Sequence, residues 1–195
     1  MDLIYQDNKI SCYTDKEIRG NGIVNIQLLN NKFTILNLSG SIFEEFFFKD
    51  NEYTIKNNLK EIIARKVILN LDFFSLEFDC NEIIEDEEFI YIYLNSELKK
   101  IKKSNYLINY STWNDYVKNS YVKILKDNLL IVKTDYGEKA LSDSVNHTYR
   151  VESLLGDSLF LKTTSTGCCN CTENIEGFVK WKNNTELLVD ICIID

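Results

Sequence analysis

The chain has 195 residues, of which 45% are hydrophobic and 27% are charged. This length and composition are typical of one globular domain and exclude a chain that is disordered throughout. Proline is absent and glycine occurs only 7 times, which excludes proline-rich linkers and collagen-like segments. The formal net charge of −8 disfavours binding to nucleic-acid phosphates and to anionic membranes, and it favours basic or neutral partners.

The first residues, Met1 to Asp7, have neither the basic region nor the apolar stretch of a secretion signal. The longest apolar runs, such as Phe89 to Leu94, are far shorter than the ~20 residues of a membrane-spanning helix. We therefore expect a cytoplasmic protein whose 6 cysteines are reduced.

The first predicted elements are two strands. Val24, Ile26 and Leu28 alternate with polar residues, and the segment from Phe33 to Leu38 follows after Asn30-Asn31. Asparagine tolerates the positive φ of tight hairpin turns, so the pattern predicts a β-hairpin.

A helix is predicted near 54–67. Its apolar residues fall at helical spacing on one face, and the hydroxyl of Thr54 is placed to cap it. These apolar residues are Ile55, Leu59, Ile62, Ile63 and Val67. Strands are predicted to follow at Leu69 to Phe78 and at Phe89 to Leu94.

A second helix is predicted near 112–125, where Thr112 and Asp115 resemble a capping box. Trp113, Tyr116 and Val117 continue at helical spacing. A strand from Tyr121 to Leu125 remains a competing interpretation.

The last third of the sequence predicts hairpins, at 148–164 around Gly156-Asp157 and at 178–194 around Asn183-Asn184. Successive hairpins give antiparallel pairing. The fold class expected is therefore α+β, mainly an antiparallel sheet built from hairpins with about two helices packed on it. We expect a single domain, 1–195, with a possible subdivision near residue 100.

Seven acidic residues and no basic one lie between positions 77 and 88. They are Glu77, Asp79, Glu82, Glu85, Asp86, Glu87 and Glu88. One interpretation is a uniformly solvated loop, and another is an acidic docking surface for a basic protein. A calcium site is a third, although the Asp-x-Asp-x-Asp-Gly spacing is missing.

Lys99, Lys100, Lys102 and Lys103 form a basic stripe soon afterwards. Such a stripe is able to contact phosphate, but no arginine accompanies it and the protein is acidic. We therefore expect no nucleic-acid binding, and the stripe is also placed to pair with the acidic segment.

Three thiols stand close together at Cys168, Cys169 and Cys171 and are candidate zinc or copper ligands. The Cys-x-x-Cys pairs of most zinc sites are absent, and Cys12, Cys80 and Cys192 are distant in sequence. A regulatory disulfide and a loop of unreactive thiols are the alternatives, and we expect no metal and no cofactor.

His147 is the only histidine, and no nucleophile elbow, phosphate loop, dinucleotide fingerprint or zinc-protease motif is present. Trp113, Tyr110, Tyr116 and Trp181 are candidate interface anchors or core residues.

The sequence thus favours a binding protein over an enzyme. The leading hypothesis is an inhibitor, most simply a bacterial immunity protein that neutralises a basic toxin or effector by docking the seven-carboxylate segment. One alternative is an enzyme or a viral or phage accessory factor with a site near His147 and Cys168 to Cys171. Another is a structural subunit of an oligomer, and the sequence leaves the oligomeric state open.

Overall fold

The computed structural model describes the chain in twelve segments. They are residues 10–12, 16–29, 32–49, 54–56, 62–69, 74–81, 86–94, 96–125, 128–134, 137–141, 148–163 and 175–192. The chain divides into two compact units, the first comprising residues 1–15 and 19–112 and the second residues 16–18 and 113–195. One domain with a subdivision near residue 100 stays a prediction.

The described residues of the first unit form an antiparallel sheet of nine strands with the order β11-β2-β8-β9-β10-β3-β4-β5, and β7 also pairs with β8. A separate parallel pair joins β1 to β6. The strands of this unit are β1 Ile10–Cys12, β2 Gly22–Leu28, β3 Lys32–Leu36, β4 Ile42–Lys49, β5 Thr54–Lys56, β6 Ile62–Ala64, β7 Lys66–Leu69, β8 Phe74–Asn81, β9 Phe89–Leu94, β10 Glu97–Lys102 and β11 Tyr106–Thr112. A 3₁₀ turn, Lys103–Asn105, joins the last two.

One face of this sheet carries a continuous hydrophobic core. Alternate residues of each strand point into it, as the two-residue period of a strand requires. The core residues include Val24, Ile26, Phe33, Ile35, Leu76, Phe78, Ile90, Ile92, Leu94, Ile101 and Tyr106.

In the second unit, the described residues form an antiparallel sheet of seven strands with the order β14-β13-β17-β16-β15-β12-β20, and a short ribbon pairs β18 with β19. Its elements are α1 Trp113–Lys118, β12 Tyr121–Ile124, β13 Leu130–Thr134, β14 Gly137–Leu141, β15 Tyr149–Leu155, β16 Ser158–Thr163, β17 Glu176–Lys180, β18 Lys182–Asn183, β19 Glu186–Leu187 and β20 Val189–Cys192. Trp181 is fully buried in this unit, and its indole N–H donates to the carbonyl of Gly156 at 3.3 Å.

The predicted α+β class with two helices is wrong, because the described residues are nearly all β. The segment predicted as a helix near 54–67 contains β5, β6 and the start of β7. Its apolar spacing fits a helix, but Ile55, Ile62, Ile63 and Val67 are β-branched and favour strands. In the described parts of this segment the backbone pairs with β4, β1 and β8.

The second predicted helix is right only for its first part, since α1 ends at Lys118 and the competing strand forms as β12. The amide of Asn119 donates to the carbonyl of Asp115 at 3.1 Å, and the Ser120 hydroxyl donates to the carbonyl of Tyr116 at 2.7 Å. These side-chain and backbone donors satisfy the last carbonyls and end the helix.

The predicted hairpin of the first 40 residues is also wrong. Both strands exist as β2 and β3, but β2 pairs with β8 and β11, whereas β3 pairs with β4 and β10. The turn residues Asn30 and Asn31 lie outside the described residues. The hairpin of β15 and β16 is confirmed. Around Asn184, where φ is 55°, the predicted hairpin is reduced to the ribbon of β18 and β19.

No helix in the described segments is long and apolar enough to cross a membrane.

Candidate functional site

The acidic segment begins inside the first sheet. Strand β8 sends Leu76, Phe78 and Cys80 into the core, while Glu77 and Asp79 lie on the opposite face and are 3% and 0% exposed. The strand is central, paired with β2 on one side and with β7 and β9 on the other. The expectation of a uniformly solvated segment is therefore wrong, because two of its carboxylates are covered.

Asp79 forms a buried, two-point ion pair with Arg65. Arg65 Nε donates to Asp79 Oδ1 at 2.7 Å, Arg65 Nη2 donates to Oδ2 at 2.5 Å, and the backbone amide of Arg19 adds a bond of 3.0 Å. Burial raises the pKa of Asp79, while the hydrogen bonds and positive charge of Arg65, with the Arg19 amide, act in the opposite direction. All these contacts are internal, so the pair serves to hold the chain at Arg19 and Arg65 against β8.

The side chain and the backbone carbonyl of Glu77 also have their hydrogen-bond partners within the first unit. Asn25 Nδ2 donates to Glu77 Oε1 at 3.3 Å, and the Glu77 carbonyl accepts from the amide of Arg65 at 2.6 Å. Glu77 and Asp79 are thus structural groups of the sheet, and they do not form a surface for a partner.

The exposed end of the segment is a turn ordered by Asp86, which precedes β9. Asp86 Oδ1 accepts from the amides of Glu88 and Phe89 at 3.1 and 2.9 Å, and Oδ2 accepts from the Tyr91 hydroxyl at 2.7 Å. The Tyr91 hydrogen bond, then the Phe89 amide, lowers the pKa of Asp86, so this carboxylate stays charged. Glu87 and Glu88 are exposed at this turn, and Glu82 and Glu85 lie outside the described residues.

The lysine stripe pairs within the first unit, partly with this turn. Lys102 lies 3.0 Å from Glu88, and Lys103 Nζ donates to the carbonyl of Asp86 at 2.9 Å. Lys99 is 8% exposed and donates to Glu97 at 2.7 Å. The internal pairing foreseen for the stripe is therefore confirmed for Lys102 and Lys103.

A row of aromatic side chains lies beside the turn and was missed by the sequence analysis. Phe89, Tyr91 and Tyr93 alternate with the buried Ile90, Ile92 and Leu94, so they stand together, half-buried, on the outer face of β9. Lys100 lies opposite Tyr91 and places its Nζ 4.3 Å from the centre of the Phe89 ring. The alternation of aromatic and aliphatic residues from 89 to 94 is the sequence pattern that indicates this row.

The remaining sequence candidates fall into two groups, those outside the described residues and those in the core. His147, Cys168, Cys169 and Cys171 lie outside the described residues. Trp113, Tyr116 and Trp181 are buried and belong to the core rather than to an interface. Within the described segments, no group of three His, Cys, Asp or Glu side chains is arranged to hold a metal ion.

Comparison with known proteins gives no matching family model, no matching curated protein and no matching solved structure. Any functional conclusion therefore depends on the geometry of the chain itself.

Proposed function

We propose that this protein is a cytoplasmic binding protein that inhibits a basic partner, in the manner of a bacterial immunity protein, by docking the acidic turn Asp86 to Glu88. The observation that carries this proposal is the ordering of the turn by Asp86, whose carboxylate binds two backbone amides and the Tyr91 hydroxyl. A turn fixed in this way presents Glu87 and Glu88 without a further loss of backbone freedom on binding.

The composition around the turn also suits a protein interface. Half-buried tyrosines adjoin exposed carboxylates, and tyrosine is enriched among the residues that contribute most to binding. The net charge of −8 accelerates the encounter with a cationic partner.

The internal pair of Lys102 and Glu88 does not block this role. The two side chains are 47% and 57% exposed, and exposed ion pairs contribute about 0–1 kcal/mol. A partner cation is thus able to replace Lys102 at small cost. The docking surface is smaller than the sequence indicated, because the side chains of Glu77 and Asp79 are buried and form hydrogen bonds within the first unit.

The test compares two variants of equal net charge. Glu87→Gln/Glu88→Gln removes the exposed charges of the turn, and Glu138→Gln/Glu176→Gln removes two exposed charges from the second unit. Proteins from the native cell are captured on the wild type, the cationic ones are identified, and their association rates with all three forms are measured at low and high salt.

We expect the turn variant to associate more slowly than the control variant, and the difference to shrink at high salt. Equal association rates for the two variants would exclude the turn as the docking site. A captured partner without a basic surface would contradict the proposal as a whole.

A further inference from the structure

We propose that the outer face of β9 receives arginine side chains of the basic partner, with the Tyr91 ring as the stacking surface and Asp86 as the adjacent carboxylate. This inference rests on the proposed function and adds the chemistry by which the partner is recognised. It concerns the aromatic row Phe89, Tyr91 and Tyr93, which the acidic turn adjoins.

The protein already places one cation on this row. The ammonium group of Lys100 stands 4.3 Å from the centre of the Phe89 ring, well within the ~6 Å of a cation–π contact. The row is therefore a surface on which positive charge is stabilised within the folded chain. A cation from a partner would make the same kind of contact at the neighbouring ring.

Tyr91 offers both contacts that an arginine needs. Its hydroxyl donates to Asp86 Oδ2 at 2.7 Å, which holds the carboxylate at the tip of the ring. A guanidinium group stacked on the ring is planar and has donors in its own plane, so it is able to reach Asp86 or Glu87 at the same time. A lysine ammonium group has no flat surface to stack and is more strongly hydrated.

Lysines border the row on the neighbouring strand. Lys100 and Lys102 lie opposite Tyr91 and Phe89, and Lys103 Nζ donates to the Asp86 carbonyl. These like charges oppose a second cation, so its contacts with the Tyr91 ring and the turn carboxylates have to outweigh the repulsion.

The experiment uses two synthetic peptides of equal charge, one of ten arginines and one of ten lysines, with the full-length protein. Because long-range attraction is the same for both, the ratio of their dissociation constants reports the short-range contacts of the guanidinium group, and the change of this ratio in a Tyr91 variant reports the ring contact. We expect the arginine peptide to bind about two- to fivefold more tightly, because the planar guanidinium stacks on the Tyr91 ring and an ammonium group does not.

Three variants test whether the preference for the arginine peptide depends on the aromatic row. Tyr91→Leu should lower the ratio, whereas Tyr91→Phe should retain it because the ring remains. Lys100→Met removes the internal cation from Phe89 and should increase the ratio, since a second ring becomes accessible. This last variant keeps the inference testable if Tyr91→Leu fails to fold.

The outcomes separate this inference from the proposed function. A wild-type ratio of one, or a ratio unchanged in both Tyr91→Leu and Lys100→Met, would overturn arginine recognition. Loss of affinity for both peptides in Glu87→Gln/Glu88→Gln, beyond that in Glu138→Gln/Glu176→Gln, would still support docking at the turn. Failure of the wild type to bind either peptide would overturn both.

Discussion

The backbone amide of Thr34 donates a hydrogen bond of 2.8 Å to the hydroxyl of Tyr106. Tyr106 belongs to β11, the first strand in the sheet order, and Thr34 belongs to β3, the sixth. The Tyr106 ring also meets the Phe33 ring edge-on, with centroids 5.2 Å apart. The sheet of the first unit therefore coils until these two strands meet across the core, as strongly twisted sheets tend to do.

Tyr106→Phe tests this closure. The variant keeps the ring in the core and removes the hydroxyl, which accepts from the Thr34 amide and also contacts the Thr34 side chain. We expect a loss of about 1–2 kcal/mol in the free energy of unfolding, measured by chemical denaturation, because a partly buried donor is left unsatisfied. Tyr110→Phe is the control, since the Tyr110 hydroxyl is exposed and its bonds to Asn21 are 3.3–3.4 Å long. Equal losses in both variants would contradict a specific role for the Tyr106 hydroxyl.

Arg65→Met tests the buried ion pair. The two side chains are 10% and 0% exposed, so removal of the cation leaves the Asp79 carboxylate buried without its main partner. We expect a loss of about 3–5 kcal/mol, and substantial recovery in Arg65→Met/Asp79→Leu, because the second change removes the isolated charge. Arg150→Met breaks an exposed pair with Glu152 and should cost about 0–1 kcal/mol. A double variant less stable than Arg65→Met would show that Asp79 contributes through other contacts.

The sequence predicts the strands better than their pairing. The alternation in Val24 to Leu28 and the apolar run from Phe89 to Leu94 identify β2 and β9. Local pattern says nothing about which distant strand supplies the backbone partner, and β2 pairs with β8 some 50 residues later. The predicted hairpin failed for this reason, because β3 was the neighbour in sequence and not in the sheet.

The candidate site was predictable only in its composition. The carboxylates between Glu77 and Glu88 are evident in the sequence, but the same residues continue strand β8 before they reach the surface. Alternation of Glu77 and Asp79 with Leu76 and Phe78 indicates a strand with one polar face. That this polar face is covered depends on Arg65 and Asn25, which the topology brings from elsewhere.

Gly20→Ala tests the close approach of the chain to the end of β8. Gly20 has a φ of +67°, and a Cβ there would lie 2.2 Å from the carbonyl oxygen of Cys80. The change thus adds a steric clash with backbone to the cost of a left-handed conformation, and we expect a loss of more than about 2 kcal/mol in unfolding free energy. Gly156→Ala has a similar φ of +61° and open space around it, so it should cost about 1 kcal/mol. Equal losses would mean that the approach to Cys80 relaxes freely.

The stability of the turn before β9 should depend on pH through Asp86. Its pKa lies below the ordinary value because the Tyr91 hydroxyl and the Phe89 amide bind the charged form, so the folded state releases this proton more readily than the unfolded state. Asp86 therefore stabilises the folded turn at pH values above the pKa that this carboxyl has in the unfolded chain. This stabilisation is lost as the pH falls through the lower pKa of Asp86 in the folded chain.

NMR titration tests this dependence. It should show Asp86 with a low pKa, and Tyr91→Phe should raise that pKa. The same bond raises the pKa of Tyr91, so Asp86→Asn should lower the pKa of that phenol. A pKa of Asp86 that does not move in Tyr91→Phe would contradict the hydrogen bond as the main cause of the low pKa.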